Sequence, residues 1–241
     1  MTPSTLFPLD PDSRQNRLEE IRRTISSPSG SEIWKEVCDA ARRERELAPY
    51  LVDSIFPGRD TYSAELRGMD WTLCRGIGDR ILRHALLYLI EGEPIWMEAA
   101  LRQADILFDD EAYPAWNHRA RMVDPDFEVH LRTGMLAHDV GLMLNWLRPH
   151  LQPDQLAALV AGLDKRAVRP FQEAVRRKPW WIEVNNNWLT CIVGGVGICG
   201  MALEGLHPEA RNLVDYADPL MERHLEDFGP KGEFNEGLGY A

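Results

Sequence analysis

Several features that would quickly decide the class of this chain are scarce. Only four of its 241 residues are cysteine (Cys38, Cys74, Cys191 and Cys199), and none falls in a CxxC or disulfide-dense spacing. Such thiols read as reduced and buried, not as a disulfide framework or a zinc site. Cys191 and Cys199 would lie about two turns apart on a helix, too far to bridge. There is no HExxH, no Cys/His cluster and no EF-hand loop, so neither a metal nor another cofactor is expected. No apolar run reaches roughly 18 residues, which excludes a transmembrane helix. The N-terminus, MTPSTLFPLDPDSRQNRLEE, lacks a charged stretch followed by an apolar one. No signal peptide is readable, and a soluble, cytoplasmic chain without membrane contact is expected. A basic excess is missing too: the formal net charge of −11 argues against a nucleic-acid partner.

Period-2 alternation bounded by turns is almost absent as well, so strands are not expected. The periodicity that is present is helical. Residues 1–12, rich in Pro, Ser and Thr, read as a loose tail, followed by a polar helix over 14–26 and a break at 27–30. Residues 1–30 thus form an N-terminal tail and polar helix ahead of a domain over 31–241. Ser31 suits an N-cap for a helix over 32–47, where Ile33, Trp34, Val37 and Ala41 make an apolar stripe. Residues 48–75, with Pro49, Pro57 and Gly58, read as a long loop. Helices follow over 77–90 and, opened by a proline suited to the first turn, over 94–108. A loop rich in Pro, Asp and aromatics (109–128) leads to a helix over 129–148, a turn at 152–154 and a helix to about Arg177. One more pair spans 188–203 and 208–228.

The spacing therefore predicts an all-α fold of antiparallel helical hairpins, with short links on one side and longer polar and aromatic links on the other. That asymmetry fits an incomplete (α/α) toroid whose long links form the rim of a central cleft. A HEAT-like or tetratricopeptide array would look similar, but no motif of fixed length recurs.

Two stretches carry the chemistry: residues 180–200, WWIEVNNNWLTCIVGGVGICG, and residues 232–241, GEFNEGLGYA. Three consecutive asparagines between tryptophans are costly as core, because every buried amide needs partners. The glycines after them each cost a helix about 1 kcal/mol relative to alanine, so they imply close backbone packing or close approach of a ligand. Gly195–Val–Gly197–Ile–Cys–Gly200 matches G-x-G-x-x-G, with Asp215 or Asp218 at a plausible ribose distance. The dinucleotide motif needs a strand–turn–helix in a βαβ unit, and too few residues remain before Pro208 for the crossover helix. As helix, Leu189, Ile192, Val193, Val196 and Gly200 share one face, and the glycines permit a close helix contact.

The pair Asn186–Asn187–Trp188 and Glu236–Gly237–Leu238–Gly239–Tyr240 resembles the NNW and EG-x-G-Y elements of the heparinase II/III-like and oligoalginate-lyase group of polysaccharide lyases. The resemblance covers roughly residues 76–241. It implies β-elimination on an anionic, uronate-containing polysaccharide or oligosaccharide. Asn186, with Asn187, would neutralise the uronate carboxylate, and Tyr240 would take the C5 proton and protonate the leaving O4. Which amide is the catalytic one stays open; Asn186 is preferred for its offset of roughly 54 residues from Tyr240. A group with histidine at the amide position is matched less well, since this chain has none there. The resemblance also implies further hairpins, a C-terminal β-sandwich domain of the same chain and a downstream histidine. The expectation is thus the N-terminal part of a longer enzyme, truncated within the toroid.

The physical case runs parallel. An asparagine at a helix N-terminus caps it well, and an amide beside the positive end of the dipole is placed to bind a carboxylate. Neutralising that carboxylate stabilises the aci-enolate formed when its neighbouring proton leaves. A tyrosine of ordinary pKa about 10 needs nearby positive charge to act as a base near neutrality. Arg132 is the candidate source, unless it is simply solvated. The basic residues of 165–178 spread around a helix and read as a solvated face. Trp180, Trp181 and Trp188 could stack on sugar rings, although core packing is the default for tryptophan. His118, His130 and Glu236 are further candidates for substrate contact. Acidic residues at 109–111 and at Asp124, Asp126 and Glu128 offer a carboxylate pair for a glycoside hydrolase instead. A helical interaction module with no chemistry is the third possibility.

Overall fold

The computed structural model describes residues 7–49, 64–117 and 129–229, with residues 64–73 described in their backbone alone. Among these residues every regular element is helical, and the all-α class expected from the periodicity holds.

α1 (Pro11–Ile25) starts where Asp10 accepts a hydrogen bond from the Ser13 N–H at 2.9 Å. α2 (Pro28–Arg45) is capped by Ser27, whose hydroxyl accepts from the Gly30 N–H at 3.1 Å. The break expected at 27–30 is therefore the first turn of α2, and Ser31 lies inside the helix. Pro28 explains the choice, since a proline in the first turn loses no hydrogen bond there. α3 (Ala64–Glu91) begins well before the expected residue 77. Residues 64–75 contain no proline to stop the helix, so the loop suggested by Pro57 and Gly58 does not extend over them.

α3 turns into α4 (Pro94–Phe108) through two residues, with Gly92 at φ +76° and its N–H bonded to the Tyr88 carbonyl, a left-handed stop that glycine adopts without strain. α5 (Leu131–Leu147) leads through a 3-10 turn to α6 (Pro153–Leu163). A π turn, Asp164–Val168, joins α6 to α7 (Arg169–Arg176). Pro170 accounts for it: in a regular helix its ring would meet the carbonyl four residues back, and the wider turn relieves that clash. α8 (Asn187–Leu189), a second π turn (Thr190–Gly194) and α9 (Gly195–Ala202) run on without a break. α10 (Ala210–Glu226) follows.

α3, α5 and α9 touch in series and form an inner row, with α4 against α3 and α10 against α9. α5 sits in the middle, which is why Leu136, Ala137, Val140, Met143, Leu144 and Leu147 are all fully buried. Each such leucine contributes about 1.5–3 kcal/mol relative to exposure. The G-x-G-x-x-G stretch lies within α9, and its glycines serve close helix contact as expected: Gly195 faces α5, while Gly197 and Gly200 face Ala217 and Leu213 of α10.

Residues 7–12, the described part of the stretch expected to be a loose tail, are docked; residues 1–6 lie outside the described residues. Phe7 is buried, and Arg14 donates to the Pro8 carbonyl at 3.2 Å and to the Trp146 carbonyl. A guanidinium at the C-terminal end of α5 meets the negative end of that helix dipole. Among the described residues no disulfide links the four cysteines, and no helix is long and apolar enough to cross a membrane.

Candidate functional site

The links that precede the inner helices are the long ones, at 109–130 and 177–186, whereas α3–α4 and α5–α6 are joined by short turns. The N-termini of α5 and α8 consequently lie on one rim. Their first residues meet where His130 contacts Trp188, and a helix N-terminus favours an anion.

Each of the three asparagines has its own task on that rim. Asn185 Oδ1 accepts from Arg223 Nε at 2.8 Å, and Arg223 also donates to the Ile182 carbonyl, so the link is tied to α10. Asn186 is the N-cap: its backbone is extended and its Oδ1 accepts from the Trp188 N–H at 3.0 Å. The cap uses the amide oxygen only. Among the described residues nothing accepts a hydrogen bond from Nδ2, which leaves two N–H donors at the mouth of the helix. Asn187 forms the first turn, and its carbonyl accepts the Thr190 hydroxyl at 3.2 Å.

Trp188 is half-buried and links the two helix ends. Its ring meets His130, the N-cap residue of α5, edge-on at 4.9 Å, and lies 5.0 Å from the ring of Trp180, which is 39% exposed. The His130 N–H donates to the Thr133 hydroxyl at 3.1 Å, fixing the first turn of α5. Trp181 takes no part in this rim: it is fully buried against Phe171. Asn186, His130 and Trp188, chosen from separate stretches of sequence, are thus brought together, with Trp180 added.

Arg132 is only 3% exposed, and burial pulls its guanidinium down to about 10. It is not a solvated surface arginine. His118, Glu236 and Tyr240 lie outside the described residues, as do Asp124, Asp126 and Glu128.

The other charged stretches have structural work. Arg166 is buried and donates to the carbonyls of Pro114, Phe108 and Asp109 and to Asp110. The expectation of a wholly solvated basic face over 165–178 fails at this residue, because the loop before α5 folds over it. Lys165 pairs with Asp110 at 2.6 Å, and these two cations hold the Asp110 carboxyl below its usual range. Asp109 accepts from the Glu111 and Ala112 N–H groups. Asp109 and Asp110 thus both take part in holding this link.

Sequence reading missed His138, Asp139 and Thr190, which line a cavity of about 360 Å³ beside the rim. No local motif marks them, because the cavity is assembled from three helices.

Compared with known proteins, the chain matches no protein-family model, and no curated protein matches it.

Proposed function

We propose that this chain carries the carboxylate-binding half of a polysaccharide lyase active site, acting by β-elimination on a uronate-containing glycan. The observation that carries the reading is Asn186: its oxygen is committed to the cap, while its Nδ2 donors stand at a helix N-terminus. Donors preorganised beside a positive dipole end suit a carboxylate whose charge grows as the neighbouring proton leaves. Asn187 adds a second amide beside it. Trp180 and Trp188 offer aromatic faces and edges at the same rim for the flat sides of sugar rings.

The proposed reaction joins Asn186 to Tyr240, which lies outside the described residues. The C6 carboxylate of a uronate unit takes hydrogen bonds from Asn186. The phenolate of Tyr240 removes the C5 proton, and the C5–H electron pair becomes the C4=C5 double bond. The C4–O4 bond breaks with its electrons on O4, which receives the proton from the Tyr240 hydroxyl. Arg132, buried on α5, is the proposed source of the positive charge that a phenolate base needs.

The test is ultraviolet absorbance of a panel of uronate polymers incubated with the protein and with Tyr240→Phe and Asn186→Asp variants. Absorbance that rises on one polymer and is lost in both variants supports the assignment. Reducing ends without absorbance would replace it with a hydrolase, and silence on every polymer from folded protein would favour a binding module.

A further inference from the structure

The cavity beside the rim lies between α3, α5 and the π turn that leads into α9. Its volume of about 360 Å³ falls within the range of small-ligand sites, about 300–1,000 Å³. Leu82, Met135 and Ile198 supply an apolar floor, and Arg75, Asp79, His138, Asp139 and Thr190 supply polar groups around it.

His138 and Asp139 form a built pair. His138 Nδ1 lies 2.7 Å from Asp139 Oδ1, and the carboxylate is 14% exposed. That bond places the ring proton on Nδ1 and leaves Nε2 as an acceptor. Among the described residues Nε2 has no partner. The carboxylate in turn is seated against α3: a Cβ on Gly78 would stand 1.8 Å from its Oδ2, so only glycine leaves it this position. Arg75 is exposed at the cavity wall, and no carboxylate among the described residues pairs with it. Asp79, one turn further along α3, is also exposed.

These groups select a ligand chemistry. One unpaired guanidinium asks for one carboxylate. His138 Nε2 and the Asp79 carboxylate ask for hydroxyl donors, and two aspartates in the wall disfavour a multiply charged anion such as phosphate. A small polyhydroxy acid with a single carboxylate satisfies all of them. We infer that this cavity binds one uronic-acid unit, with Arg75 on its carboxylate and the Asp139-held His138 on a ring hydroxyl. The inference deepens the lyase reading, on which it rests only for making this unit a neighbour of the one at Asn186.

The experiment is calorimetric titration with D-glucuronate and with glucose, alongside the imidazole resonances of His138 followed by NMR. Glucuronate is expected to bind and to shift the His138 resonances, with glucose at least about tenfold weaker. Arg75→Gln, at an exposed position that leaves the fold intact, is expected to weaken glucuronate binding about tenfold and to leave glucose unchanged. An unshifted His138, or equal affinity in Arg75→Gln, would overturn the inference. Binding at this cavity with no absorbance change on any polymer would sink the lyase reading alone. Elimination on a polymer without the His138 shift would do the reverse.

Discussion

Gly134 of α5 and Gly195 of α9 stand backbone to backbone. A Cβ on Gly195 would lie 2.1 Å from the Gly134 carbonyl oxygen, and one on Gly134 would lie 1.9 Å from the Cys191 carbonyl oxygen. Each glycine is about one helical turn or two from the rim, so this contact sets how the N-termini of the two helices meet. Gly134→Ala and Gly195→Ala are each expected to cost about 1–3 kcal/mol, because neither backbone can yield locally. Gly194→Ala is the control: its nearest obstacle is the Met221 sulfur at 3.3 Å, the mobile end of a flexible side chain. Denaturant melts check the contrast, and equal loss in all three would mean that the close approach does not govern stability.

Asn186 allows cap and chemistry to be separated. Asn186→Ala removes the acceptor for the Trp188 N–H and is expected to cost about 1 kcal/mol. Asn186→Asp keeps an acceptor there and places a negative charge at the favourable end of the dipole. Its melting temperature should match the parent, while carboxylate binding is lost. An aspartate variant that kept full lyase activity would show that Nδ2 plays no part.

Arg166 and Arg169 test burial against exposure on adjoining turns. Arg166→Met strands three carbonyls that the guanidinium now satisfies at 2.7–3.2 Å, and a loss of about 3 kcal/mol or more is expected. Arg169 pairs with Asp164 at 2.8 Å but is 61% exposed, so Arg169→Ala should cost less than about 1 kcal/mol. Unfolding free energies that rank the two the other way would refute the structural role of Arg166.

Stability should fall on mild acidification. Burial lowers the pKa of His84, whose ring stacks on Trp96 and whose Nε2–H donates to the Ala41 carbonyl. The unfolded chain then binds a proton more readily than the folded one in the window below about pH 6.5. Unfolding free energy therefore decreases as pH drops through that window and levels off below the folded value. His150, lowered by burial and by Arg14, acts with the same sign. Urea titrations across this range should show a shallower slope for His84→Gln, even though that variant starts less stable at neutral pH.

The helices were legible where apolar stripes and prolines marked them: α4 was placed by Pro94 in its first turn. Ser27 and Ser31 can both cap a helix, and Pro28, suited to the first turn, favours Ser27. The start of α3 was missed because no punctuation marks a helix that simply runs on. At the site, Asn186 was readable as a cap because asparagine before an apolar run has few other uses. The meeting of His130 with Trp188 was not readable, since residues so distant in sequence are joined only by α5 lying against α9. The buried setting of Arg132 was invisible for the same reason.

The π turn at Thr190–Gly194 carries one residue more than the helix around it needs. Deleting a single residue there would restore an ordinary helix and leave α9 packed, yet it would swing Asn186 and Trp188 by about 100° around the axis. The rim is thus held in phase by an insertion. Along this helix, a change in residue number, with no change in residue type, is enough to turn the amide away from the rim.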